Sequence, residues 1–98
     1  MGWSPFNATR IETSGEVASN PQVAMDSSGN AMAVWVQGID IWANRYVVGK
    51  GWGSPTLLEN NSDPGLNPQV AINSSGNATA VWAQFDGKAL SIWANGFN

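Results

Sequence analysis

The chain has 98 residues, the length of one small domain, and 43% of them are apolar, so it can build a core. Only 11% are charged, the formal net charge is -3, and the basic residues Arg10, Arg45, Lys50 and Lys88 form no cluster, which argues against nucleic acid as a partner. Cys and His are absent, which excludes a thiolate nucleophile, a disulfide framework, the usual zinc ligands and the commonest general base.

In chain order, Met1-Gly2-Trp3-Ser4-Pro5 lacks the basic start and apolar stretch of a signal peptide. No apolar run approaches the ~20 residues that span a bilayer. The expectation is a chain without a membrane span, cytoplasmic as made, or extracellular or at the cell surface where a leader is removed. Residues 2–12 read as a strand with no unit of its own ahead of it. Then the sequence begins to repeat. Residues 20–37 read NPQVAMDSSGNAMAVWVQ and residues 67–84 read NPQVAINSSGNATAVWAQ, with fourteen of 18 positions identical at a shift of 47. Ile41-Trp42-Ala43-Asn44 answers Ile92-Trp93-Ala94-Asn95 at a shift of 51, so the second copy has four extra residues, in the loop Phe85-Asp86-Gly87-Lys88. Upstream, Gly2-Trp3-Ser4-Pro5 answers Gly51-Trp52-Gly53-Ser54-Pro55, and Thr9-Arg10-Ile11-Glu12 answers Thr56-Leu57-Leu58-Glu59.

Each unit divides into β-like runs separated by turn residues. Pro21 marks a strand over 22–25, because a proline at a strand start needs no ladder donor. Asp26-Ser27-Ser28-Gly29-Asn30 is a hairpin turn. A second strand over 31–37 is apolar on both faces, which predicts burial on both sides. A third strand spans 39–48, and a fourth begins at Gly51-Trp52 and continues through 56–59. The second unit repeats the first three strands at 69–72, 78–84 and 90–97. No window sustains a helical period, so the chain reads as all-β.

Four strands per unit of this length is the arithmetic of a propeller blade, whose faces pack against neighbouring blades. A sandwich is the competing architecture. The pattern W-x-x-P…N-P-x-V-A-x-[DN]-x-S-G-N-A-x-A-V-W-x-Q…I-W-A-N resembles the repeats of bacterial multi-blade β-propeller proteins, many of them uncharacterised and surface-associated. The resemblance implies two four-stranded blades per chain and a ring closed by oligomerisation, since propellers typically carry about 4–8 blades. The organisation expected is a single domain over 1–98, with blade 1 over 20–59 and blade 2 over 67–98 lacking its outer strand. Residues 1–12 are the outer strand donated to a neighbouring chain, which makes the partner a second copy joined head to tail. Similarity to small two-blade bacterial and fungal lectins implies a six-bladed trimer, with an eight-bladed tetramer as the alternative.

The candidate ligand-binding residues are Trp42, Trp93, Asn44, Asn95, Arg45, Trp3 and Trp52. Trp42 and Trp93 alternate with Asn44 and Asn95, then with Tyr46 and Phe97, and an aromatic–Asn–aromatic face suits either a sugar ring or a packed seam between blades. Arg45 is the cation next to this face, suited to a hydroxyl pair or a carboxylate, with Gly96 at the equivalent place. Trp3 and Trp52 sit in Gly-Trp turns and either cap the blade edge or offer a surface ring. Trp35 and Trp82 lie in strands without a polar face and are expected in the core. Glu12 and Glu59 recur as carboxylates, but the repeat accounts for that without chemistry, so no catalytic residue is expected. The Asp26 turn offers one carboxylate, too few for calcium, and no metal or cofactor is expected. The function expected is a non-enzymatic, lectin-like module for carbohydrate; the alternative is a structural, self-assembling repeat with no small ligand of its own.

Overall fold

The computed structural model describes residues 9–13, 15–59 and 62–97, and builds them from strands and turns with no helix. The first repeat supplies β1 (Ala18–Met25), β2 (Ala31–Gln37), β3 (Asp40–Val47), β4 (Gly51–Trp52) and β5 (Thr56–Leu57). The second supplies β6 (Gly65–Ile72), β7 (Ala78–Phe85) and β8 (Leu90–Phe97). All pairings are antiparallel. Sheet 1 runs β1-β2-β3, and both β4 and β5 pair with the outer edge of β3. Backbone bonds from Gly53 N to Arg45 O and from Leu58 N to Ile41 O, each 2.9 Å, extend this into one interrupted edge strand. Sheet 2 runs β6-β7-β8, and among the described residues nothing pairs with the outer edge of β8. The chain is therefore all-β, with two antiparallel sheets.

The first strand of each sheet begins earlier than its proline suggests. β1 starts at Ala18 and β6 at Gly65, and the Asn-Pro pair lies inside each strand as a bulge. The register shifts between Ser19 and Gln22 and again between Leu66 and Gln69, with Asn20 at φ 54° and Asn67 at φ 51°. Asparagine tolerates that left-handed backbone better than most residues, and a bulge frees the following proline from donating to the ladder.

The β1–β2 and β6–β7 turns are built alike. Asp26 Oδ1 accepts the N–H groups of Ser28 and Asn30, both at 2.9 Å, and Asn73 Oδ1 accepts those of Ser75 and Asn77 at 2.9 and 3.0 Å. The following Gly29 and Gly76 take φ 92° and 83°, open to glycine at no steric cost.

Register settles which side chains share a face. In sheet 1, Met32, Val34 and Val36 oppose Arg45, Ala43 and Ile41. On the other face Ala31, Ala33 and Trp35 oppose Tyr46, Asn44 and Trp42. In sheet 2, Ala78, Ala80 and Trp82 oppose Phe97, Asn95 and Trp93. The core forms between the first of these faces and the last: Met32, Val34, Val36, Ile41 and Ala43 pack on Ala78, Ala80 and Trp82, with Leu58, Val70 and Ile72 against them. The sheets thus stack through unlike faces, each keeping the face that its counterpart has used. β2 is buried along its whole length, whereas β7 is buried on alternate residues only.

Candidate functional site

A crevice of about 330 Å³ opens along the seam between the sheets. Its floor is apolar, from Met32, Val34, Leu58, Val70 and Ala80. Its polar lining comes from β3 (Asn44, Arg45), from the interrupted edge strand (Ser54, Thr56) and from β8 (Asn95). Phe97 completes the wall.

Alternation along β3 decides how the expected residues are distributed. Arg45 does not share the face of Trp42 and Asn44, because adjacent residues of a strand point to opposite sides. It turns instead toward sheet 2. There its guanidinium carbon lies 4.7 Å from the centroid of the Phe97 ring, and its Nη1 donates to Gly76 O at 3.0 Å. Asp26 is held below the ordinary carboxylate range, chiefly by the Asn30 side-chain amide, with the Arg45 charge a further contribution. The crevice therefore joins Arg45 of one repeat to Asn95 and Phe97 of the next.

Asn44 and Asn95 make matching bonds. Asn44 is buried; its Nδ2 donates to Ile11 O at 3.0 Å and to Gly53 O at 2.9 Å, and its Oδ1 accepts Arg45 N–H at 2.7 Å. Asn95 Nδ2 donates to Leu58 O at 3.0 Å, and its Oδ1 accepts Gly96 N–H at 2.8 Å. Each asparagine ties down the segment that precedes its own repeat.

The tryptophans separate into distinct settings. Trp35 and Trp82 are buried, and their indole N–H groups donate to Gln37 Oε1 and Gln84 Oε1 at 3.1 and 3.0 Å. Trp42 is half-buried, with its backbone paired to Leu57 of β5. Trp93, on the edge strand β8, is 40% exposed and donates through Nε1 to Gln84 O at 3.0 Å. Trp52 is half-buried and packs edge-on against Tyr46, the ring centroids 5.5 Å apart. None of these tryptophans lines the seam crevice. Trp3 lies outside the described residues.

Glu59 fastens the two sheets together. Its Oε2 accepts Ile41 N–H of sheet 1 at 3.0 Å, and its Oε1 accepts Gln84 Nε2 of sheet 2 at 3.2 Å. Glu12 stands in the equivalent relation to Gln37, and Arg10 also reaches it, Nη2 to Oε1 2.8 Å. Asp40 is pushed above the ordinary carboxylate range, first by burial and then by the charge of Glu59, with which it also shares a hydrogen bond. Two carboxyl groups in such contact lack the ~5–9.5 Å separation that glycoside hydrolysis uses.

Gln37 and Gln84, which the sequence pattern did not single out, hold the buried indoles in place. The Trp-x-Gln spacing in both repeats was the available signal, since residues two apart in a strand share a face. The alternation Trp93-x-Asn95-x-Phe97 placed Phe97 on the candidate face, but nothing in it announced Arg45 as the partner, because that residue belongs to the other repeat. No protein-family model, no curated protein and no solved structure matches this chain.

Proposed function

We propose that the chain is a pair of β-propeller blades, that several copies close a ring, and that the crevice between successive blades binds a small carbohydrate without altering it. Three copies make a six-bladed ring and four an eight-bladed one; the trimer is favoured by resemblance to small two-blade lectins. The observation that carries the binding reading is the seam crevice itself, an apolar floor under Arg45, Asn95, Ser54 and Thr56 beside the Phe97 ring. About 330 Å³ lies at the small end of ligand pockets, which run from ~300 to 1,000 Å³. Few charges and many hydroxyl and amide groups suit a neutral, polyhydroxylated ligand. Arg45 spends one hydrogen bond on Gly76 O, and a guanidinium carries five N–H donors.

A glycan array followed by titration calorimetry with the sugars it selects tests this. Arg45→Ala should weaken binding by about tenfold or more, the scale of one charge-assisted hydrogen bond, and Phe97→Ala by about tenfold, the scale of a lost aromatic contact, with the strand circular dichroism unchanged. An array on which nothing binds at high protein concentration overturns the reading.

The second reading, a structural repeat with no small ligand, has its own support. Asn44, Asn95 and Arg45 all make bonds that hold one segment of the chain to another. On that reading Arg45→Ala lowers the melting temperature and no sugar changes it in either protein.

A further inference from the structure

The seam inside the chain serves as a template for a seam between chains. The face of sheet 1 that the seam covers corresponds, residue for residue, to the free face of sheet 2: Val34 to Val81, Ile41 to Ile92, Ala43 to Ala94. Val34 and Ile41 are 0% exposed, whereas Val81 is 37% and Ile92 76% exposed. The converse holds on the other side, where Val70 and Ile72 pack on the core while their equivalents Val23 and Met25 lie open. The centre of that sheet 1 face, Ala31, Ala33 and Trp35, is already covered within the chain, but its margin at Val23 and Met25 is exposed, as are Val81 and Ile92 on sheet 2. A chain with apolar side chains exposed on both complementary faces is built for a head-to-tail neighbour.

A second observation comes from residues 9–12. Their equivalents, 56–59, serve two sheets at once. Thr56 and Leu57 pair with Ala43 and Trp42 at the edge of sheet 1, while Leu58 O and Glu59 Oε1 bind Asn95 and Gln84 of sheet 2. Residues 9–12 already make the second set of contacts, Ile11 O with Asn44 and Glu12 with Gln37. The first set has its counterpart only in β8, the edge of sheet 2 that nothing among the described residues pairs.

Resting on the blade reading above, we propose that the occupant of this edge is a second copy of the chain. Its residues 9–12 pair along β8, with Thr9 opposite Ala94 and Arg10 opposite Trp93, and its Glu12 accepts the N–H of Ile92. Side-chain volumes at the two free faces compensate. On sheet 2, Thr79, Ala83 and Gly96 stand where the internal seam has Met32, Val36 and Arg45, so this face has lost bulk. On sheet 1, Ala18 and Tyr46 stand where the internal seam has Gly65 and Phe97, so that face has gained it. A Cβ at Gly65 would come within 2.6 Å of Ile41 Cγ1. In the proposed joint Ile92 must therefore stand farther back from Ala18 than Ile41 does from Gly65. The joint is a fitted variant of the internal seam.

The chain has no cysteine, so introduced thiols report only the joint. Thr9→Cys with Ala94→Cys, treated with a short bis-maleimide, should give covalent species at multiples of the chain mass. Thr56→Cys with Ala43→Cys is the internal control and should link within one chain. Ile92→Asp places a charge on a residue exposed in the single chain, so folding is spared, and it should raise the concentration at which the assembly dissociates by on the order of 100-fold. An assembled mass by light scattering with no 9–94 link overturns this joint and leaves a ring of another kind. A 9–94 link within one chain also overturns it. Monomer mass at every concentration overturns the joint and the ring together, whatever the glycan array shows.

Discussion

Gln37 and Gln84 show how single side chains set the internal geometry of each sheet. Each accepts the indole N–H of the tryptophan two residues earlier, and each donates through Nε2 to a backbone carbonyl upstream, Glu16 O or Asp63 O. Gln84 also donates to Glu59, so it sits at the joint of the two sheets. Truncating it leaves a buried indole N–H without an acceptor, as well as a cavity. Gln84→Ala should cost about 2–4 kcal/mol, read as a lower urea midpoint by tryptophan fluorescence. The asparagines teach a related lesson. Asn44 and Asn95 recur beside aromatic residues, and from sequence that pattern fits a sugar face and a packed seam equally. Their partners, Ile11 O and Leu58 O, lie 33 and 37 residues away, so no local pattern could announce them.

At the level of strands and turns most of the architecture was legible. Alternation and turn residues placed the second and third strands of each repeat, and the predicted run 90–97 coincides with β8. The proline rule misplaced the start of β1 and β6, because it takes no account of a bulge, and a bulge needs only one residue that accepts φ > 0. The four extra residues of the second repeat are equally physical. Gly38-Ile39 link β2 to β3 as a two-residue turn with Gly38 at φ 61°; in sheet 2 the strands gain the pair Phe85↔Leu90 and the turn lengthens to residues 86–89. Asp86 holds that longer turn. Its carboxyl is pushed down to about 2, first by the Ala89 N–H, then by the Ser91 hydroxyl and the Lys88 N–H. A carboxylate with a depressed folded-state pKa stabilises above its ordinary value and ceases to do so as pH falls through the depressed one. Asp86→Ala should therefore lower the melting temperature at pH 7, and the gap from the native chain should close as the pH drops from about 4 to about 2. Thermal melts across that range provide the measurement.

For the molecule as a whole, the repeat in the sequence already implied two units, but not that they would stack through unlike faces. Which face of a strand meets which depends on packing between residues far apart in the chain, and β2 and β7 read almost identically despite their different surroundings. That stacking has a consequence in the valency of any assembly. Arg45 and Phe97 meet across the seam within the chain, and Gly96 and Tyr46 would hold the corresponding places at the proposed seam between chains. A closed ring would thus alternate guanidinium-bearing crevices with neutral ones. Saturating ligand should titrate to one equivalent per chain, half the number of blades, by calorimetry on the assembled protein, and two equivalents would mean that the arginine plays no part in selection. Tandem duplication would then have produced two kinds of station from one motif, with the residues at two equivalent positions deciding which of them is occupied.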